Sequence, residues 1–110
     1  MSEDCIFCQI LDGEIPSNTV AETDEAYAFL DVNPLARGHT LVIPKAHHER
    51  VGDMPAGTAG AVFELVNEIT PAVDDPVDAP ASTVAFNNGE EAVQEVPHAH
   101  CHIVPRFADD

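Results

Sequence analysis

Three histidines near the carboxyl end of the chain are the residues whose spacing best suits chemistry. They are His98, His100 and His102, with Ala99, Cys101 and Ile103 between them. Strand side chains alternate between faces at roughly 3.3 Å per residue, so a strand would place all three imidazoles on one face, about 6.6 Å apart stepwise. Neighbouring rings could then reach one bound phosphate. Packing explains a single strand histidine but explains this row poorly, and the interleaved apolar residues exclude an engineered tag.

A Cys-x-x-Cys pair near the amino terminus is the second candidate for chemistry. Cys5 and Cys8 form, with His47 and His98, a Cys2His2 set of the kind that zinc binds tetrahedrally, and a closed set of four protein ligands is a structural site. His48 is a rival ligand to His47. A core role for the cysteines is an alternative, whereas a redox pair would need a preceding strand in a βαβ unit. The odd count of three cysteines does not suggest a disulfide framework.

The amino-terminal half supplies a short helix and three strands. Apolar spacing predicts one or two helical turns over residues 5–11, ended by Gly13. The predicted strands are Thr19–Glu22 and Ala26–Asp31, paired around Thr23-Asp24, and His39–Ile43, closed by Pro44 after a loop over residues 33–38.

The carboxyl-terminal half predicts a long helix and two further strands. Val62, Val66, Ile69 and Val73 form the stripe of an amphipathic helix that starts after Asp53 and Pro55. Pro71 is expected to end or kink it, and Asp74–Ala81 to be a connection rather than an element. Ser82–Phe86 and Val96–Val104 are the last two strands, joined through Asn87-Asn88-Gly89. We therefore expect one α+β domain over residues 1–110, with an antiparallel sheet of about five strands.

The charge of the chain excludes some classes of partner. It carries 20 acidic residues against four basic ones, a formal charge of -16, which excludes a general binder of polymeric nucleic acid. An acidic shell of this kind is typical of a salt-adapted organism, and the stability of the fold should then rise with ionic strength.

The chain has neither a run of about 20 apolar residues nor a signal peptide, so we expect a cytoplasmic protein that does not enter a membrane.

The histidine row resembles the signature His-x-His-x-His-apolar-apolar of the histidine-triad family. The resemblance extends along nearly the whole chain, through Cys-Ile-Phe-Cys at 5–8, Gly-Glu-Ile-Pro at 13–16, Ala-Phe-Leu-Asp at 28–31, residues 38–45 and Asn87-Asn88-Gly89. It implies that His100 attacks the α-phosphorus of a nucleotide and that water hydrolyses the nucleotidyl-histidine intermediate. A neutral imidazole whose Nδ1 proton is held by a carbonyl has a free Nε2 lone pair for this attack. His102 can then donate to the phosphate oxygens.

Further roles are implied by the same resemblance. Asn87 matches a phosphate-side asparagine and Asp31 the acidic residue that binds the ribose hydroxyls. The apolar slot for a purine base would be formed by Ile6, Phe7, Ile10, Ile15, Phe29 and Val32, which would otherwise be read as core. Zinc-containing members imply Cys5, Cys8, His47 and His98 as ligands. His98 could then not donate a proton, which would come from His102, water or the leaving group itself. His39 is expected to serve its strand rather than the site.

Two features depart from the family pattern. Gly-Gln-Ser or Gly-Gln-Thr normally precedes the triad and contacts phosphate, whereas this chain has Val93-Gln94-Glu95. Valine restricts the backbone, and Glu95 replaces a neutral donor with an anion. Gln94 and Glu95 are still expected to lie beside the substrate. Members also continue well past Pro105-Arg106, with a tail that helps choose the leaving group.

The sequence thus predicts a homodimeric hydrolase of nucleoside phosphoramidates or dinucleoside polyphosphates, with structural Zn²⁺. The dimer is implied by the resemblance alone. Two alternatives stay open: a nucleotide-binding or zinc-stabilised interaction protein with weak catalysis, and a transferase that passes the nucleotidyl group to an acceptor other than water.

Overall fold

The computed structural model describes residues 5–109, and residues 1–4 and 110 lie outside the described part. Along the chain the elements are α1 (Ile6–Leu11), β1 (Thr19–Glu22), β2 (Ala26–Leu30), β3 (Thr40–Pro44), α2 (Ala56–Asp74), β4 (Ala81–Phe86) and β5 (Cys101–Arg106), with short 3-10 turns at Val51–Asp53, Asp75–Val77 and Glu90–Ala92. This is the expected α+β arrangement. No helix within residues 5–109 is both long and apolar enough to cross a membrane.

The five strands form one antiparallel sheet in the order β1-β2-β3-β5-β4. Thr23 closes the β1–β2 turn, where its amide donates to the Ala26 carbonyl and its Oγ1 accepts from the Ala26 amide. The β3–β5 pairing places Leu41 opposite His102 and Val42 opposite Cys101. This pairing fixes where the side chains of β5 point.

Both faces of the sheet are covered because the central strands are apolar at almost every position. On one face, Ala26, Ala28, Val42, Cys101 and Ile103 pack with the stripe of α2, which includes Val62 and Ile69. On the other face, Tyr27, Phe29, Leu41 and Ile43 pack with Cys5 and Phe7 at α1. Since alternate residues of β5 face opposite ways, His102 lies on the α1 face.

The predicted strand Val96–Val104 is wrong at both ends, because β5 runs from Cys101 to Arg106. Pro97 has no amide to donate to a ladder and restricts the residue before it. Local bonds then replace strand pairing: the His98 amide donates to the Val96 carbonyl at 2.8 Å and the Ala99 amide to the His48 carbonyl at 2.7 Å. His98 and His100 therefore precede the strand, and the three imidazoles do not share one strand face.

The long helix does not end at Pro71, one of the two effects expected of this proline. α2 continues through Pro71 to Asp74, and a 3-10 turn follows at Asp75–Val77, within the stretch expected to be a plain connection. Val73, beyond the proline, is buried against the sheet. The Asn67 carbonyl, which an amide at position 71 would normally bond, belongs to an exposed residue and can bond water. The burial of the last turn of α2 thus outweighs the loss of the one backbone hydrogen bond that Pro71 cannot donate. β1 has the predicted bounds, and the bounds of β2, β3 and β4 differ from the prediction by at most one residue.

Candidate active site and metal centre

Two adjoining cavities lie on the α1 face of the sheet, with volumes of about 210 Å³ and 330 Å³. They share the lining residues Asp31, Asn33, Glu95, His100 and His102. The other residues that line the first cavity are mostly apolar, whereas most residues that line the second are polar. A ligand that spans both would place its middle beside His100 and His102.

The smaller cavity contains the whole apolar slot expected from the sequence. Ile6, Phe7, Ile10, Ile15, Phe29 and Val32 all line it. Phe7 and Phe29 pack edge to face at 5.5 Å between ring centroids and are buried. Val32, in contrast, is 79% exposed at the cavity rim. A flat apolar group fits such a slot, and Asp31 is among the residues that the slot shares with the second cavity.

His100 has one ring nitrogen fixed by the backbone. Its Nδ1 lies 2.8 Å from the His98 carbonyl oxygen, and because a carbonyl only accepts, Nδ1 carries the proton. In the neutral ring, Nε2 is therefore unprotonated and its lone pair is free. Burial lowers the pKa of His100, against opposing effects of the His98 carbonyl, Asp31 and Glu95. A neutral, oriented imidazole between the two cavities is suited to nucleophilic attack.

His102 is oriented by a residue that we expected to serve only the strand. The Leu35 amide donates to Nδ1 of His39 at 3.0 Å, so His39 carries its proton on Nε2. That Nε2 donates to Nδ1 of His102, also at 3.0 Å. His102 must then carry its own proton on Nε2, which leaves an N–H donor for the cavities that it lines.

His39 was expected to serve its strand rather than the site, but the structure places it in the site. It immediately precedes β3, is only 2% exposed and lines the larger cavity. The pairing of Leu41 with His102 makes His39 the diagonal neighbour of His102 on the same face. Knowledge of the β3–β5 register would therefore have identified His39 as a residue of the site.

Asp31, His39 and His102 lie close enough together to resemble a metal site of two histidines and a carboxylate. The hydrogen bonds argue against that role. A metal on Nε2 of His39 would require a proton on Nδ1, where the Leu35 amide already donates. The Asp31 Oδ2 atom lies 3.6 Å from Nε2 of His39, so the carboxylate faces the nitrogen that carries the proton. Hydrogen bonds link the Leu35 amide to His39 and His39 to His102, and this chain of bonds is called the relay.

Cys5, Cys8, His47 and His98 form the other cluster, with ligand atoms within 4.8 Å of one another. The Nδ1 atom of His98 lies 3.4 Å from Sγ of Cys5 and 3.5 Å from Sγ of Cys8, and Nδ1 of His47 lies 3.2 Å from Sγ of Cys8. Tetrahedral zinc with ordinary bond lengths separates sulfur and nitrogen ligands by about 3.6 Å. The structure places His47, and not His48, in this set.

The ring of His98 is already oriented for a metal. Its Nε2 donates to the Pro44 carbonyl at 2.8 Å, so Nδ1 is the unprotonated nitrogen and faces the two sulfurs. Without a cation, burial and the neighbouring Cys5 raise the pKa of Cys8 to about 11. A divalent cation would supply the missing positive charge for two thiolates. The four residues fit zinc, and they leave no position open for a substrate.

The sequence matches the HIT domain model over residues 12–109. The chain belongs to the HIT family. It is 43% identical over 106 residues to Protein hit of Bacillus subtilis, covering 96% of this chain and 73% of that protein. It is 36% identical over 106 residues to the adenosine 5′-monophosphoramidase of Candida albicans, covering 93% and 70%.

A solved structure of a Zn-bound histidine triad family protein from Mycobacterium smegmatis has the same fold. The TM-score is 0.92 at 36% identity, with 100% of this chain and 80% of that chain covered. The HIT fold expected from the sequence is therefore confirmed. Cys5 and Cys8 precede the matched part of the HIT domain, so their pairing with His47 and His98 rests on the geometry described above.

In this HIT domain the loop between β4 and β5 distributes its side chains unevenly. Asn87 and Val93 line only the larger cavity, and Glu95 lines both. Gln94 lines neither: its Oε1 accepts from the Gly89 amide at 2.7 Å, and its Nε2 donates to the Glu49 and Val96 carbonyls at 2.6 and 3.0 Å. The side chain expected beside the substrate instead ties the loop together.

Proposed function

We propose that this HIT domain is a hydrolase of nucleotide conjugates that cleaves the bond between the α-phosphorus and a leaving group through a nucleotidyl-His100 intermediate. One observation carries the proposal: Nδ1 of His100 is held at 2.8 Å by the His98 carbonyl, which leaves a free Nε2 lone pair where the two cavities meet. The name of the Candida albicans relative supports adenosine 5′-monophosphoramidate as a substrate.

In this mechanism the nucleoside occupies the smaller cavity. The base enters the slot around Phe7 and Phe29, and the Asp31 carboxylate accepts hydrogen bonds from the ribose hydroxyls. The α-phosphate then lies beside His100 and His102, and the leaving group occupies the larger cavity near Asn87. His102 Nε2–H and the Asn87 amide donate to phosphate oxygens, which hold negative charge during transfer.

The bonds and protons balance over two steps. His100 Nε2 forms a bond to phosphorus while the bond from phosphorus to the leaving nitrogen breaks, and the electron pair of that bond stays with nitrogen. Water entering through the larger cavity then attacks phosphorus and releases His100. In the first step the leaving nitrogen takes a proton from His102 or from water, so it departs as a neutral amine, and the amine takes a second proton in solution to become an ammonium ion. In the second step the oxygen of the attacking water ends on phosphorus, and its two protons replace the two that the amine took up.

Hydrolysis of adenosine 5′-monophosphoramidate, followed by chromatography of released AMP, tests this function. The wild-type domain should turn over many times, whereas His100→Ala should lose at least about 10³-fold in kcat. Nucleotide binding should persist in the variant, because a nucleophile contributes to the transition state more than to ground-state affinity. Residual activity within tenfold of wild type would contradict covalent catalysis by His100.

We further propose that Cys5, Cys8, His47 and His98 hold a structural Zn²⁺. The ion would tie α1, which carries part of the base slot, to the segment that carries His100. A closed ligand set would give it no direct contact with substrate. The Zn-bound Mycobacterium smegmatis relative supports this choice of metal.

The homodimer stays a proposal, for which the free edge of β4 offers a surface. β4 ends the sheet, and it carries Val84 at 44% exposure; Phe63 of α2, whose ring packs against Phe86 of β4, is 48% exposed. A second copy could add its own β4 in an antiparallel, two-fold arrangement that buries both apolar side chains. Sedimentation of wild type and Val84→Glu tests this: the variant should become monomeric, and a monomeric wild type would contradict it.

Adaptation to salt is likewise proposed from the formal charge of -16. Screening of that self-repulsion should raise Tm as KCl increases from low to molar concentration. A Tm that does not change with KCl would contradict it.

A further inference from the structure

Val93 has a backbone conformation that valine rarely adopts. Its φ is 66° and its ψ 39°, at the end of the 3-10 turn Glu90–Ala92. Within residues 5–109, Asp78, with φ of 56°, is the other non-glycine residue at positive φ. A β-branched side chain is the least suited to this region because Cβ crowds the following carbonyl oxygen.

Contacts inside the chain do not explain why a valine occupies this position. The side chain is 67% exposed and belongs to neither apolar core cluster. The Val93 amide donates to the Glu90 carbonyl at 2.9 Å, a bond that glycine would make equally well. Backbone strain that packing does not offset is characteristic of binding sites.

Val93 instead lines the larger cavity, which the leaving group would occupy. Leu35, at 79% exposure, lines the same cavity. Asp31 and Glu95 contribute carboxylates, and none of the described residues lining either cavity is a lysine or arginine. A diphosphate or nucleotide leaving group would thus meet two carboxylates and no cationic side chain.

We propose that Val93 is a specificity-determining residue for the leaving group, contacting, with Leu35, the hydrocarbon part of an organic amine. The inference rests on the proposed hydrolase function. The amine becomes an ammonium ion after it leaves phosphorus, and the nearby Glu95 carboxylate attracts this cation, whereas the same carboxylate repels an anionic leaving group. The favoured substrates are therefore nucleoside phosphoramidates of aliphatic amines.

The test compares adenosine 5′-phosphoramidate with its N-hexyl derivative. Wild type should have the higher kcat/KM for the N-hexyl compound. Val93→Gly should lower the ratio of the two kcat/KM values about tenfold, because it removes an apolar contact that only the N-hexyl compound makes. Asp78→Gly is the matched control: it also replaces a positive-φ residue by glycine, and it should leave the ratio unchanged.

The same ratio can be measured as Kd in the His100→Ala background, where no turnover is needed. Failure of wild type to hydrolyse either compound would refute the proposed function, while the Kd ratio would still decide the role of Val93. Equal losses for both compounds would show that Val93 only shapes the loop, and the proposal would be overturned. A wild type without preference for the N-hexyl compound would overturn it too.

Discussion

Nε2 of His39 donates to Nδ1 of His102 across 3.0 Å, and a single backbone amide fixes the direction of this bond. Because the Leu35 amide donates to the far side of the His39 ring, His39 has its proton on Nε2 and His102 has its proton on Nε2 as well. In the proposed mechanism, the donor that His102 offers to phosphate thus depends on a residue outside the histidine row. We propose His39 as a positioning residue.

Replacement of His39 should therefore weaken catalysis by acting through His102, because the proposed mechanism gives His39 no contact with the phosphate. His39→Phe should lower kcat about tenfold, with a smaller change in KM, because His102 loses the partner that fixes its tautomer. His39→Gln, which retains an N–H donor, should recover part of the loss. His48→Phe is the control, since His48 lies outside both cavities. Equal activity of His39→Phe and wild type would show that the relay has no catalytic role.

The zinc content of the protein should fall when a proposed ligand is replaced, and it should not change when a cysteine outside the cluster is replaced. Protein purified without added metal should contain about one zinc per chain by elemental analysis, and chelation should lower Tm. His98→Ala should lose zinc and stability together. Cys101→Ala removes a buried cysteine outside the cluster, so it should retain zinc even if packing weakens it. Absence of zinc from wild type, or a Tm that chelation does not change, would remove the metal site.

Glu95 should penalise anionic substrates mainly at low salt. Glu95→Ser should raise kcat/KM for a dinucleoside polyphosphate about threefold at low ionic strength, a modest gain because the carboxylate is exposed. The gain should shrink toward molar salt as the charges are screened. Glu95→Gln separates charge from hydroxyl chemistry and should behave similarly. A fall in kcat together with a lost limb of the pH profile would instead identify Glu95 as a general acid.

The protonation of His102 should make stability depend on pH. Burial lowers its pKa to about 4, with His100 and His39 adding to the shift and Asp31 opposing it. An unfolded histidine titrates near 6.5, so between about pH 6.5 and 4 the unfolded chain binds more protons. The contribution of His102 is therefore complete above about pH 6.5 and is lost as the pH falls toward 4.

Urea unfolding from pH 7 to 5, in molar KCl to screen the carboxylates, measures this effect. The free energy of unfolding should fall more steeply with decreasing pH in wild type than in His102→Asn, whose amide oxygen can still accept from His39 but does not titrate. Parallel slopes for the two proteins would mean that His102 titrates alike in the folded and unfolded states.

The sequence predicted what local periodicity determines and missed what tertiary contacts determine. The turn at Thr23-Asp24, the β-rich run closed by Pro44 and the stripe from Val62 to Val73 predicted the sheet and α2 correctly. The start of β5 was missed because Pro97 and local bonds replace the ladder before Cys101. α2 continues past Pro71 because Val73, the last residue of the stripe, is buried against the sheet, and this tertiary contact outweighs the local effect of the proline.

The same division applies to the site. The apolar slot and the Cys2His2 cluster could be found because the resemblance extends along the chain. His39 was missed because its contact with His102 depends on the β3–β5 register. Gln94 was predicted to lie beside the substrate, but its side chain bonds to Gly89, Glu49 and Val96 instead. The sequence could not predict these bonds because they depend on how two loops meet.

The central claim is that His100 carries the nucleotidyl group. Intact-protein mass spectrometry of samples quenched in acid-free denaturant during turnover of an adenosine phosphoramidate tests it most directly. We predict an adduct of one adenylyl group per chain, mapped to His100 by peptide analysis and absent from His100→Ala. Turnover without any adduct on a millisecond quench, or an adduct that persists in His100→Ala, would contradict the account.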